Sequence, residues 1–242
     1  IRNVIDSTGH KALLIVDTIS SLASINYEHE KWGVDVTIGG SQKGLMLPPG
    51  LSFNAISEKA LKTSKKAKIC RSYWDWQDML NSNDDGLFPF TPSTNMLFGL
   101  KESIQMLLDE GLENVFLRHF HLAEATRIAV KSWGLEINAL NPYEYSNSLT
   151  TVLFPEGHNA DIFRKIVLEN FNVSLGNGLG RLNQKAFRIG HLGHFNEPML
   201  IGTLGAIEMG LEISKIPISI SGTRSAIEYL VKNNFQVSSK TI

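Results

Sequence analysis

The sequence predicts an α/β fold, a mostly parallel sheet domain followed by a smaller α+β domain. Residues 12–16 are a continuous apolar run without alternation, the mark of a strand buried on both faces of a parallel sheet, and residues 34–38 are read as a second strand of that sheet. A third run, residues 50–56, follows Pro48-Pro49 at a spacing that suits the same sheet. After Gly134 the texture changes to short strands alternating with helical stretches, a module with its own core.

Taken in order, Ile1, Val4 and Ile5 have helical spacing and Gly9 stands where a C-cap would fall, so the chain opens on the end of a helix. The first strand stops at Asp17 and the second runs into Gly39-Gly40. Residues 57–68 carry Lys59, Lys62, Lys65, Lys66 and Lys68, a solvated helix face. Aromatic residues crowd 72–76, a polar loop is expected at 81–86, and Pro89 and Pro92 keep 88–93 extended. Met96, Leu97, Leu100, Ile104, Leu107 and Leu108 form one face of a helix closed by Gly111, and another helix covers 114–133. Beyond it, strands are expected at 135–137, 149–154, 173–175 and 186–189, with helices near 161–169 and 196–213. The domain boundary is expected in the helix ending near Trp133, dividing residues 1–125 from 126–242.

The 242 residues hold 23 Lys and Arg against 24 Asp and Glu, with 43% hydrophobic residues and one cysteine. A chain of this size buries a core without disulfides or metal. The single Cys70 favours a reducing compartment, and the net charge of −1 argues against a nucleic-acid binder. No apolar run is long enough to span a membrane, and IRNVIDSTGHKALL lacks the layout of a signal peptide. Lys240-Thr241-Ile242 is a poor match to a peroxisomal tripeptide, so the cytoplasm is the expected compartment.

Asp17 ends a strand, and ligands of open parallel sheets sit at the carboxyl ends of strands. Alone, followed by Thr18-Ile19-Ser20, it reads first as an N-cap of the next segment. A functional role needs a cation, and the protonated ring nitrogen of a heterocycle would serve. Lys43 follows the second strand within GGSQKGLMLPPG, where small residues allow close backbone approach and Pro-Pro stiffens the loop. It is either an exposed loop lysine or a Schiff-base former. Asp17 and Lys43 lie about one strand-crossover-strand step apart, so both face one crevice. An acid for a pyridinium nitrogen and an amine for an aldehyde are what pyridoxal phosphate requires of a protein. Arg188 is a lone cation in a short apolar strand, on the solvent face or gripping a carboxylate. The pairs His191/His194 and His119/His121 lack metal-ligand spacing, so no metal is expected. Residues 176–180, GNGLG, resemble a phosphate cradle without its strand-to-helix context, and a flexible loop is expected there.

The stretches LLIVDTISSLASI, WGVDVTIGGSQKGLMLPPGLSFNAIS, SYWDW, FPFTPSTNMLFGL, LAEATRIAVKSWGLEI, SLGNGLGRL and FRIGHLG, in this order, resemble the class V aminotransferases of the serine–glyoxylate and alanine–glyoxylate branch. The similarity runs to about Ile213 and is weaker from about Ser219. It implies the C-terminal half of the fold-type I large domain followed by the small C-terminal domain, a pyridoxal 5'-phosphate cofactor, and transamination from serine or alanine to glyoxylate. By resemblance Lys43 forms the Schiff base, Asp17 meets the pyridine nitrogen and Gln42 contacts the phosphate. Thr91 reaches the phosphate of the neighbouring subunit, so the active site is shared in a homodimer, and Arg188 binds the substrate carboxylate. Phe88 replaces a tyrosine of some relatives, and His194 stands where an acid is more frequent.

The resemblance also implies a longer N-terminus with a Gly-rich phosphate turn and a ring-stacking aromatic residue. Neither occurs in these residues, so the sequence is expected to be N-terminally incomplete and weak in activity alone. Two other readings compete. A cysteine desulfurase-like lyase calls for a reactive loop thiol and usually a His beside the lysine, whereas Gln42 precedes Lys43 and Cys70 has no activating neighbour. An inactive fragment serving as a dimerisation or binding module would not hold the cofactor.

Overall fold

Burial of one carboxylate ties the first elements together. Asp35 is 4% exposed, and it accepts the Leu14 N–H at 2.9 Å, the Arg2 guanidinium at 3.1 Å, the Ser57 hydroxyl at 3.2 Å and the Lys59 amine at 3.4 Å. Arg2 lies in helix α1 (Arg2–Ser7), Leu14 precedes strand β1 (Ile15–Asp17), and Asp35 itself precedes β2 (Val36–Gly40). Ser57 and Lys59 follow β3 (Ser52–Ile56), Ser57 as the N-cap of α2 (Glu58–Ser64). Burial raises the Asp35 pKa, but the Leu14 N–H, Lys59 and Ser57 outweigh it and hold the carboxyl below its ordinary value.

The computed structural model describes residues 1–233, so Lys240-Thr241-Ile242 lies outside the described residues. The chain divides into two units, residues 1–22 with 27–108, and residues 23–26 with the chain from Asp109 onward. In the first, the sheet order is β1-β2-β3, with β1 parallel to β2 and β3 antiparallel to it. The expectation that residues 12–16 are buried on both faces fails at β1. Ile15 is 56% exposed and Asp17 is exposed, because β1 is an edge strand of this sheet, whereas Val36 in the central β2 is 2% exposed.

Helix α3 (Trp76–Asp84) occupies much of the expected polar loop at 81–86. Asp75 caps it by accepting the Gln77 N–H at 2.9 Å, and the helix stops only before Gly86, whose φ of +72° suits glycine. Helix α4 (Thr94–Glu110) follows the extended segment around Pro92.

The second unit holds α5 (Leu112–Ser132), β4 (Glu136–Ile137), β5 (Leu149–Leu153), α6 (Ala160–Phe171), β6 (Gly176–Asn177), β7 (Ala186–Gly190), α7 (Glu197–Ile213) and α8 (Gly222–Lys232). Its antiparallel sheet has the order β4-β5-β7-β6. Phe154, Phe163 and Phe187 pack ring to ring in its core, beside Trp133, Leu200, Leu204 and Leu211. The strand expected at 173–175 begins only at Gly176, since the Leu175 carbonyl accepts from Arg164 Nε at 2.8 Å instead of from a strand.

Helix α8 has no counterpart among the expected elements. Its start depends on a distant carboxylate: Glu208 accepts the Thr223 N–H at 2.9 Å and the Trp133 indole N–H at 2.8 Å. Gly222 lets α8 approach α5, for a Cβ there would sit 2.6 Å from Trp133 Nε1. No helix among the described residues is long and apolar enough to cross a membrane.

Candidate active site

Lys43 stands in a wide loop between β2 and β3 whose base is closed by Ser41. The buried Ser41 donates its N–H to the Leu51 carbonyl at 3.1 Å and its hydroxyl to the Pro48 carbonyl at 2.8 Å, and accepts the Leu51 N–H at 3.1 Å. Within the loop, Met46 donates to the Lys43 carbonyl at 2.9 Å and takes a left-handed φ of +60°. Helix α4 backs the loop: the Ser103 hydroxyl donates to the Leu45 carbonyl, and Gly99 faces Leu47 so closely that a Cβ would come within 2.8 Å of its Cδ2. The Lys43 side chain is half-buried, and its amine has no hydrogen-bond or ion-pair partner among the described residues.

Asp17 ends β1 opposite Ile38 of β2, so Asp17 and the Lys43 loop lie at the carboxyl ends of two parallel strands. One Asp17 oxygen accepts the Ile19 N–H at 2.9 Å, the local cap weighed above, and the other has no partner among the described residues. Gln42 is exposed and its amide oxygen folds over Gly40, where a Cβ would sit 2.8 Å away. A hollow of about 280 Å³ opens beside the loop, lined by Ile19, Gly39, Gly40, Gln42 and residues 49–52. Asp17 and Lys43 do not line it. Thr91 is exposed in the segment before α4, and its hydroxyl has no partner among the described residues. Phe88 is 45% exposed.

Arg188 belongs to the second unit, at the middle of β7. It is opposite Thr151 of β5 and Gly176 of β6, and its Nε donates to the Asn177 carbonyl at 2.7 Å. Its two Nη groups have no partner among the described residues. The GNGLG stretch is not a free loop: Gly176 and Asn177 form β6, and the Gly178 N–H donates to the Ala186 carbonyl at 3.0 Å.

His119 and His191 are both fully buried. His191 donates Nδ1–H to the Asn147 carbonyl at 3.0 Å and accepts the Thr150 hydroxyl at Nε2, 2.9 Å. Burial pushes its pKa down to about 3. His119 donates to the Val115 carbonyl at 2.7 Å and accepts the Gly193 N–H at 3.1 Å, and burial lowers its pKa as well. Asp35, the buried carboxylate of the first unit, lies within the second expected strand, residues 34–38. Its signal was an acid among Val34, Val36 and Ile38, which only a cation could make tolerable.

Within the first unit, an amine and a carboxylate oxygen without partners among the described residues thus lie at the carboxyl ends of two parallel strands. The aminotransferase class V family matches residues 2–186. The chain belongs to the class V aminotransferases. This class V chain is 43% identical to serine–glyoxylate aminotransferase of Hyphomicrobium methylovorum over 96% of its own length and 58% of the relative's. It is 39% identical to L-aspartate–glyoxylate aminotransferase of Paracoccus denitrificans, covering 95% of itself and 58% of the relative. Its fold matches pyridoxamine–pyruvate aminotransferase from Mesorhizobium loti with a TM-score of 0.90 at 28% identity, over 96% of this chain and 60% of that one. The class V chain thus spans 58% of the length of the two sequence relatives.

Proposed function

We propose that the protein carrying this chain is a pyridoxal 5'-phosphate-dependent transaminase that moves the amino group of serine, or alanine, to glyoxylate as a homodimer. The observation that carries the reading is the placement of Lys43 and Asp17 at the carboxyl ends of two parallel strands. Relatives named for transfer to glyoxylate support the acceptor. The residues present fit the cofactor in kind: a half-buried amine without a partner among the described residues for its aldehyde, and a carboxylate with one uncommitted oxygen for its ring nitrogen. When bound, the cofactor supplies an aldehyde for the substrate amine and a ring that withdraws electrons from its Cα.

Lys43 Nζ would hold the cofactor's aldehyde and, when displaced by the substrate amine, would take the Cα proton as general base and deliver it, as general acid, to the carbon that had carried the aldehyde. The loop closed by Ser41 keeps that amine in place through both transfers. Asp17 keeps the ring nitrogen protonated. Gln42 serves the phosphate in its own subunit and Thr91 serves it across the dimer. Arg188 orients the carboxylate of amino and oxo acid alike, which lets one site run both halves of the exchange. Cys70 is exposed and Gln42 precedes Lys43, so the desulfurase reading has no support beyond fold.

The test is borohydride reduction of the cofactor-loaded protein, peptide mapping, and assay of hydroxypyruvate from serine plus glyoxylate with alanine and aspartate as rival donors. Label on Lys43 with turnover of serine or alanine is expected. Label on another lysine, or cofactor binding without transfer to glyoxylate, overturns the reading.

A further inference from the structure

The glycine-rich stretch at 176–178 is packed by the chain's own atoms. A Cβ at Gly178 would collide with the Leu182 carbonyl, and the Gly178 N–H is spent on Ala186. Gly176 sits directly across from Arg188, and a Cβ there would come within 3.1 Å of both the Cβ and the Nε of Arg188. That is tighter than ordinary contact, so any side chain at 176 pushes on the arginine. Gly176 has no left-handed φ, so glycine is needed at this position for space and not for backbone freedom.

We propose that Gly176 and the Asn177 carbonyl form a seat that aims the Arg188 guanidinium. The bare Cα lets the side chain lie against β6, and the carbonyl holds Nε at 2.7 Å. With Nε engaged, the side-on grip through Nε and one Nη is closed, and the end-on fork of two Nη groups is what remains for a carboxylate. Gly176 is therefore a positioning residue that acts only through Arg188. The inference rests on the reading of Arg188 as the carboxylate grip.

The experiment uses the cofactor-loaded full-length protein with Gly176→Ala, Gly176→Val, Arg188→Ala and the double variant Gly176→Val/Arg188→Ala. KM for serine and glyoxylate, kcat, and calorimetric affinity for propionate, an unreactive monocarboxylate, are read for each. Gly176→Val is expected to raise both KM values and weaken propionate roughly tenfold or more, with kcat within about twofold. Gly176→Ala should shift them in the same direction by less, and it supplies the reading if the valine variant fails to fold. In the Arg188→Ala background, Gly176→Val should change KM by less than about twofold, since its only target is gone. If Arg188→Ala weakens propionate but neither Gly176 variant does, the seat is wrong and the grip stands. If both Gly176 effects persist undiminished without Arg188, Gly176 acts by another route and the seat is wrong. If Arg188→Ala leaves propionate and KM unchanged, the grip itself falls and the seat with it.

Discussion

Ser41 and Leu51 lock the Lys43 loop by reciprocal hydrogen bonds, both at 3.1 Å, one backbone to backbone and one from the Leu51 N–H to the Ser41 hydroxyl oxygen. The same hydroxyl donates to Pro48, so a single buried side chain satisfies both a donor and an acceptor of the loop. Ser41→Ala would leave both unmet, at a cost of about 2 kcal/mol. The full-length variant should unfold at lower urea concentration and turn over more slowly, because the amine is less well placed. An unchanged unfolding midpoint would remove Ser41 from this role.

Asp17→Asn should keep some cofactor and lose most of the rate, since an amide does not hold a ring nitrogen protonated. The expected loss is at least about 2 kcal/mol in the barrier, the scale of a charge-assisted hydrogen bond. Turnover within a few-fold of the parent would leave Asp17 only its bond to Ile19.

His191 makes stability pH-dependent. Its folded pKa is about 3 against an ordinary 6.5, so between those values the unfolded chain binds a proton that the folded one refuses. Stability is therefore full above about pH 6.5 and is lost as pH falls toward about pH 3, by roughly tenfold in the folding constant per pH unit. Urea unfolding followed from about pH 7 to about pH 5 should show at least that slope, and His191→Gln should lessen it, with the buried His119 still contributing in the same direction.

The hydrophobic core cluster of the described residues lies wholly within the second unit, from Leu122 to Leu230, whereas β1 is an edge strand with Ile15 56% exposed. Amide exchange of this 242-residue chain should accordingly be faster in β1 than in β5 and β7. Equal protection of β1 and β7 would contradict this.

Two aspartates mark how far the site is legible in the sequence. Asp17 is conspicuous because it ends an apolar run, and its place at the carboxyl end of a parallel strand follows from that pattern. Its burial does not follow: it is exposed, and the carboxylate that must be paired is Asp35. The partners of Asp35 are Arg2 and Lys59, remote in sequence and brought together only by pairing of the strands. The same limit applies to helices only in part. The apolar face of α4 is read from its period, whereas α8, amphipathic and N-capped by Ser221, carries readable signals that the sequence reading missed, and only its added anchor on Glu208 is remote in sequence. Arg188 could be picked out as a lone cation in an apolar strand, but its anchor on Asn177 depends on the register of β6.

Glu208 serves the indole of Trp133, the residue that ends α5, and the first turn of α8 with the same oxygen. Drift at these positions is consequently not independent. Replacing Trp133 with a residue that donates nothing would remove one of the two donors this oxygen accepts, and losing the acid would strand the indole N–H and the Thr223 N–H together, leaving the first turn of α8 to Ser221 alone. Trp133, Glu208 and the start of α8 are thus expected to be inherited as a block, so that a lineage changing one of them passes through an unstable intermediate unless the others change with it.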